Sequence, residues 1–148
     1  MQTRDPDVDQ LAVAQALERV IAWLRQAREP AGLSASGLSA LSRLDALGSL
    51  RITELADLEQ LTQPGMTTLI NRLEDAGLAT REPDPSDRRA VRVTITPTGA
   101  RRVVENRDAR AARLLTRIHQ LSEADQAALA AALPALQAFA THPTEQNN

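Results

Sequence analysis

The chain has 148 residues, 43% of them hydrophobic and 24% charged, which is typical of a soluble protein of one domain. Its formal net charge is −2 and it contains no cysteine, which excludes disulfides, thiolate metal sites and cysteine-based redox sensing. No apolar run approaches the roughly 18 residues of a membrane helix, and the acidic start of the chain lacks the hydrophobic segment of a secretion signal. We therefore expect a cytoplasmic protein that does not contact a membrane.

Three helices are predicted before residue 60. Apolar residues recur at helical spacing from about Val8 to Glu29, and Pro30-Ala31-Gly32 would end that helix. Residues 34–47 predict a second helix. A short strand around 49–51 and a third helix over 52–58, capped by Thr53, would follow.

The fourth helix has the clearest sequence signals. Thr62 can cap its first turn, Pro64 is tolerated there, and Gly77 can end the helix by adopting a positive φ. One face is apolar and consists of Met66, Leu69, Ile70 and Leu73. The other positions are mainly polar: Gln63, Thr67, Thr68, Asn71, Arg72 and Asp75. The apolar face would pack against a core, and the polar face could contact a partner or simply be solvated.

A β-hairpin is predicted directly after this helix. Leu78-Ala79 begins an extended segment, residues 82–87 favour a turn, and residues 90–96 alternate as a half-buried strand with Val91, Val93 and Ile95 facing inward.

Two arginines, Arg88 and Arg89, lie at the tip of this hairpin beside Asp84 and Asp87. Two cations on a protruding loop suit a negatively charged partner such as a narrow minor groove. The alternative is a solvated turn with exposed Asp–Arg pairs that contribute little to stability.

The remainder of the chain predicts a long helix from Pro97 or Thr98 to about His119 and another from Ser122 to near Ala140, interrupted at Pro134. These helices have more apolar positions than an isolated lobe could cover: Leu114, Leu115, Ile118, Leu121, Leu129, Leu133, Leu136 and Phe139. A second copy of the chain would bury them, whereas the alternative is a monomeric bundle.

Residues 65–103, GMTTLINRLEDAGLATREPDPSDRRAVRVTITPTGARRV, closely resemble the winged-helix core of the MarR family of bacterial transcriptional regulators. Four motifs occur in order at the family's spacing: Met66-Thr67, Asn71-Arg72-Leu73-Glu74 with Gly77-Leu78, Asp84 to Arg89, and Ile95-Thr96 with Gly99. The resemblance implies a mainly α fold with a small β-wing, in which a winged helix-turn-helix core is flanked by N- and C-terminal dimerisation helices. A single domain over 1–148 is expected, with a DNA-binding lobe at about 33–96, dimerisation helices at about 8–30 and 97–140, and a flexible tail at 141–148.

By the same resemblance, the fourth helix would enter the major groove of double-stranded DNA. The residues it assigns to DNA are Gln63, Pro64, Met66, Thr67, Thr68, Asn71 and Arg72. One of Arg88 and Arg89 would reach the minor groove while the other braces the wing through Asp84 or Asp87, and the sequence leaves open which does which. Many members have arginine where this chain has Thr68, which implies a different operator preference.

The distribution of charge agrees with a nucleic-acid partner. Residues 61–117 contain 11 arginines and 7 acids, whereas the segments on either side each have a net charge of −3. Because phosphate attraction is screened within about 8 Å at physiological salt, a local basic region can act despite an acidic whole.

The family resemblance also implies a homodimer and a small aromatic or phenolic effector, which would bind in a crevice lined by Trp23, Arg28 and Leu41. Trp23 fits core or interface packing as well, and repression without any ligand is the alternative.

No enzyme, cofactor or metal site is predicted. Asp84 and Asp87 lie beside arginines on an exposed turn, which does not suit general acid catalysis, and the two histidines have no neighbours at ligand spacing. The sequence therefore predicts a DNA-binding regulator, a repressor, that binds a palindromic promoter site. The competing interpretation is a helical protein-interaction module without specific DNA binding.

Overall fold

The computed structural model describes residues 6–26, 33–87 and 89–141. Within these ranges, its elements are α1 (Pro6–Gln26), α2 (Ala35–Leu47), β1 (Leu50–Arg51), α3 (Ile52–Leu58), α4 (Gln63–Asp75), β2 (Ala79–Pro83), β3 (Val91–Ile95), α5 (Pro97–Ile118), α6 (Glu123–Ala131) and α7 (Leu133–Thr141). The predicted class, mainly α with a small β-wing, is confirmed. None of the described helices is long and apolar enough to cross a membrane.

The chain forms two compact units, Met1–Arg107 and Asp108–Asn148, and the boundary falls within α5. The predicted division into a DNA-binding lobe and dimerisation helices stays a prediction. The proposed end of the first helix at residues 30–32 and the tail beyond Thr141 lie outside the described residues.

Local sequence signals set the ends of α2 and α3. The Ser34 hydroxyl accepts a hydrogen bond from the Gly37 N–H at 3.1 Å and so caps the start of α2. Gly48 ends α2 with a φ of +80°, a conformation that glycine adopts readily because it has no Cβ. The prediction that Thr53 caps α3 is wrong. Arg51 occupies the cap position, and its N–H donates to the Glu54 carboxylate at 2.7 Å.

Helix α4 begins and ends where the sequence predicts. The Thr62 hydroxyl accepts from the Gly65 N–H at 3.2 Å. At the other end, Gly77 has a φ of +70°. The N–H of Leu78 donates to the Leu73 carbonyl at 2.8 Å, and the N–H of Gly77 donates to the Glu74 carbonyl at 2.8 Å, a Schellman motif.

The core of the first unit lies between the sheet and the helices α2, α3 and α4. Its buried members are Ala40, Leu41, Leu44, Leu55, Ala56, Met66, Leu69, Ile70, Leu73, Leu78, Ala79, Val93 and Val103. All four apolar positions of α4 are therefore inside, which fixes the opposite face of that helix toward solvent.

The three strands form an antiparallel sheet in the order β1-β3-β2. Val93 is fully buried, but Val91 is 39% exposed, so the prediction that Val91 faces inward is wrong. Val91 pairs with Pro83 at the end of the hairpin beside the wing loop, whereas Val93 pairs with Arg81 and belongs to the core. The hairpin extends past the apolar interior before it turns.

Thr96 joins the end of α4 to the start of α5. Its hydroxyl donates to the Gly77 carbonyl at 2.7 Å and accepts from the Gly99 N–H at 3.0 Å, while its own N–H donates to the Leu78 carbonyl at 3.0 Å. One side chain thus caps α5 and holds the turn that follows α4.

The second unit contains the last part of α5 together with α6 and α7. The predicted interruption near Pro134 is confirmed, because α6 ends at Ala131 and α7 begins at Leu133. Six large apolar side chains of this unit are between 38% and 73% exposed: Leu115, Leu121, Leu129, Leu133, Leu136 and Phe139.

We expect Gly99→Ala to destabilise the protein, because a Cβ at this position would lie 2.1 Å from the Leu78 carbonyl oxygen. Overpacking against a backbone atom typically costs about 1–3 kcal/mol. The free energy of unfolding from urea titration measures the effect. Gly37→Ala is the matched control, since its Cβ would have no neighbour nearer than 3.4 Å, and its stability should be equal or higher. Equal stability of the Gly99 variant and the wild type would contradict the close approach.

Candidate nucleic-acid interface

The polar face of α4 is exposed along its length. Of the residues that the sequence assigns to DNA, Gln63, Pro64, Thr67, Thr68, Asn71 and Arg72 are all exposed. Amide side chains can pair with adenine, and an arginine can pair with guanine or a phosphate. The helix therefore presents a continuous surface with the donors and acceptors that base recognition requires.

Met66 does not belong to this surface. It is 0% exposed and part of the core, so its assignment as a DNA contact is wrong. The reason is the helical period, which places Met66 on the same face as Ile70 and Leu73.

Thr67 and Thr68 use their hydroxyl protons within the helix. The Thr67 hydroxyl donates to the Gln63 carbonyl at 2.9 Å, and the Thr68 hydroxyl donates to the Pro64 carbonyl at 3.0 Å. What each threonine retains for a partner is oxygen lone pairs and a methyl group, which suits a thymine methyl or a donor on a base.

Arg81 links strand β2 to helix α4. Its guanidinium forms an ion pair with Glu74 and donates to the Thr67 carbonyl at 3.4 Å. Sequence reasoning missed this role because arginine and glutamate at these positions also fit exposed sites. The contacts hold α4 and the hairpin together from the side.

The wing loop is built around the carboxylate of Asp84, which is 1% exposed. Its Oδ2 lies 2.6 Å from Arg51 Nε and 3.7 Å from Arg92 Nη1. Its Oδ1 accepts from the N–H and the hydroxyl of Ser86 at 2.8 and 2.6 Å. The described partners of Asp84 are therefore Arg51, Arg92 and Ser86, and bracing of the wing by an arginine of the tip through Asp84 or Asp87 stays a prediction.

These contacts shift the pKa values of Asp84 and Arg51. The hydrogen bond from Arg51, followed by those from the Ser86 hydroxyl and N–H, holds the pKa of the Asp84 carboxyl well below its usual range. The hydrogen bond with Asp84 raises the pKa of Arg51. Asp84 is thus an anion at every physiological pH, which excludes it as a general acid.

The tip of the wing is exposed. Arg89 is exposed, and its N–H donates to the Asp87 carboxylate at 3.0 Å. Asp87 therefore shapes the turn through the backbone. Arg88 lies outside the described residues, so the division of roles between the two arginines stays a prediction.

Of the residues suggested for an effector crevice, the structure describes Trp23 and Leu41. Leu41 is 0% exposed inside the core, which makes its assignment as a crevice residue wrong in this conformation. Arg28 lies outside the described residues, and Trp23 is half-buried on α1. An aromatic effector stays a prediction from family resemblance.

Comparison with known proteins gives a consistent picture. A family model described as the MarR family matches residues 33–91. The chain is 36% identical over 107 residues to an uncharacterized HTH-type transcriptional regulator of Mycobacterium leprae, ML2140, covering 72% of this chain and 75% of that protein.

Solved structures also match. Transcriptional regulator Tm0710 from Thermotoga maritima superimposes with a TM-score of 0.71 at 25% identity, covering 90% of this chain and 94% of that one. BpsR of Bordetella bronchiseptica, whose structure is described as showing a mechanism for regulation of DNA binding by 6-hydroxynicotinic acid, matches with a TM-score of 0.56 at 25% identity. That match covers 86% of this chain and 91% of BpsR.

We expect Asp84→Asn to lower stability in a pH-dependent way. Because the folded-state pKa of Asp84 is lowered, its stabilisation is complete above the unfolded-state pKa of about 3.9 and is lost as pH falls through the folded-state value. The difference in free energy of unfolding between wild type and variant should be constant from pH 7 to 5 and narrow below about 4. Urea titrations at pH 7, 5 and 3 measure it. Asp57→Asn, an exposed carboxylate on α3, is the control; a difference that does not narrow at pH 3 would contradict the role of the charge.

Proposed function

Because the chain belongs to the MarR family of helix-turn-helix transcriptional regulators, we propose that it is a homodimeric repressor that binds a palindromic operator in double-stranded DNA. The observation that carries the proposal is the exposed polar face of α4, supported from behind by a buried apolar face and followed by a wing with an exposed arginine at its tip. These are the parts that a winged helix needs to contact two grooves.

In this proposal α4 lies in the major groove. Gln63 and Asn71 are placed to pair with adenine, and Arg72 with guanine or a phosphate. Thr68 stands where many members of the family have an arginine, so this chain would rely on amide and methyl contacts at that point and prefer a different operator.

The wing would supply the second contact. One of Arg88 and Arg89 would enter the minor groove beside the site that α4 contacts, where a narrow groove attracts arginine, and the other would brace the wing. The 11 arginines within residues 61–117 concentrate positive charge in the segment that contains α4 and the wing. Phosphate attraction would then position the lobe while α4 selects the sequence.

Dimerisation is proposed from the exposed apolar side chains of both units. In addition to the six on the second unit, α1 exposes Leu11, Val13, Val20 and Ile21 by 42–59%. An isologous dimer would cover such faces and place two recognition helices in successive major grooves about 34 Å apart, which requires a palindromic site.

The comparisons support the regulatory part of the proposal. The relatives are named as transcriptional regulators, and catalysis has no part in our proposal. The description of BpsR supports control of DNA binding by a small aromatic acid as the mode of regulation for this chain too.

We expect the purified protein to prefer DNA from upstream of its own gene over a scrambled duplex, with an affinity that falls as salt rises. Arg89→Ala should weaken binding to both duplexes and reduce the salt slope by about one unit for a lost phosphate contact. Asn71→Ala should instead change the preference between duplexes with single base substitutions. Fluorescence anisotropy over a salt series measures all three.

Arg19→Ala is the matched control, because it removes the same charge from an exposed position on α1. It should leave the salt slope unchanged. Equal, weak binding of the wild type to both duplexes, unaffected by Arg89→Ala, would favour the protein-interaction module.

We expect Phe139→Glu to dissociate the dimer. Phe139 is 73% exposed on α7, and a charge buried without a partner at an interface is costly. Sedimentation should give twice the chain mass of 16.0 kDa for the wild type and a single chain mass for the variant. The neighbouring Gln137→Glu, which also adds a negative charge to α7, should remain dimeric. A monomeric wild type would contradict this part of the proposal.

A further inference from the structure

We propose that Arg51 is a positioning residue for the wing: from strand β1 it holds the base of the wing loop and thereby sets where Arg89 meets DNA. The inference rests on the proposed function, because the wing needs a fixed position only if it contacts a partner. It assigns a DNA-binding role to a residue outside both α4 and the wing tip.

The contact bridges segments that are far apart in the sequence. Arg51 Nε lies 2.6 Å from Asp84 Oδ2, and Arg51 Nη2 donates to the Ser86 hydroxyl at 3.2 Å. One guanidinium therefore bonds to two wing residues, because its planar group carries several N–H donors in a fixed geometry. A lysine could not form both bonds in the same geometry.

The contacts of Arg51 with Asp84 and Ser86 act on the base of the wing loop. The Asp84 N–H donates to the Ala90 carbonyl at 3.0 Å, which closes the loop that contains Arg89, and the Ser86 N–H and hydroxyl complete the shell of Asp84. The side chain of Asp84 thus holds the start of the loop to Arg51, and the backbone N–H of Asp84 holds the end of the loop at Ala90.

The backbone of Arg51 is held in place by contacts of its own. Its N–H is held by Glu54 at the start of α3, and its backbone pairs with Arg92 in the sheet. Arg92 is a weaker second contact, because its Nη1 is 3.7 Å from Asp84 and its guanidinium also donates to Ser49. The wing is therefore fastened to the corner between β1 and α3.

Loss of Arg51 would leave a nearly buried carboxylate without its closest cation, and an uncompensated buried charge is strongly unfavourable. Asp84 would then move toward water and take the wing loop with it. The alternative is that Arg51, whose side chain is 36% exposed, contacts a DNA phosphate directly.

The variant Asp84→Asn distinguishes positioning of the wing from a direct phosphate contact, because its effect on DNA affinity has the opposite sign in the two cases. Removal of a negative charge near DNA should by itself tighten binding, and it would also release Arg51 for a phosphate. If Arg51 positions the wing through Asp84, binding to the upstream DNA instead weakens, by about tenfold for the loss of one charge-assisted contact. The control Asp57→Asn makes the same charge change on an exposed site of α3.

A double-mutant cycle tests whether Arg51 acts through the wing. Arg51→Ala should weaken binding about as much as Asp84→Asn does, but should have little further effect once Arg89→Ala is present. Its effect should add fully to that of Asn71→Ala, which acts through α4. Arg51→Lys, which keeps the charge but not the fork, should restore only part of the affinity.

Hydrogen exchange without DNA provides an independent measurement. In Arg51→Ala the amides of Ser86 and Ala90 should exchange about tenfold faster, while those of Leu69 and Ile70 in the core stay protected because the lobe remains folded. Unchanged exchange in the wing, equal or tighter binding by Asp84→Asn, or full additivity of Arg51→Ala and Arg89→Ala would overturn the proposal. Failure of the wild type to prefer its upstream DNA would instead overturn the proposed function, and the exchange data would still decide whether Arg51 holds the wing.

Discussion

The packing of α4 is the constraint on which the rest of the first unit depends. Four apolar side chains at helical spacing bury one face of this helix, so its polar face is held outward without any contribution from a ligand or partner. A surface fixed in this way loses little conformational entropy when it binds, which favours affinity. The Schellman turn at Gly77 then directs the chain into the hairpin, so the wing follows from the way in which the helix ends.

Arginine has two separate roles in the first unit. Arg51, Arg81 and Arg92 are engaged with protein partners and connect the sheet to the wing loop and to α4. By contrast, Arg72 and Arg89 are exposed and have no ion pair with any described residue. A count of positive charge in the sequence therefore overstates the charge available to DNA. The internal arginines contribute by giving the other two a defined position.

Much of the lobe could be predicted from local sequence. Thr62, Gly77 and the apolar period of α4 act within a few residues of one another, so their consequences for structure can be derived from spacing. The contact between Arg51 and Asp84 joins residues 33 positions apart, and only the pairing of β1 with β3 brings them together. The assignment of Met66 and Leu41 to surfaces rests on the family resemblance, whereas the core includes both side chains. For Met66 the helical period of α4 already predicts burial.

The links within the first unit also constrain how DNA binding could be controlled. Thr96 ties the turn after α4 to the start of α5, Arg81 ties α4 to β2, and Asp84 ties the wing to β1. Because each link joins a different pair of elements, a change of distance between α4 and the wing would break several hydrogen bonds at once. A ligand that relieves repression would therefore meet less resistance by altering the spacing of two intact lobes in the proposed dimer than by deforming one lobe. The start of α5 is the helix end to which the turn after α4 is directly bonded, so a displacement of that helix end would act on α4 through Thr96.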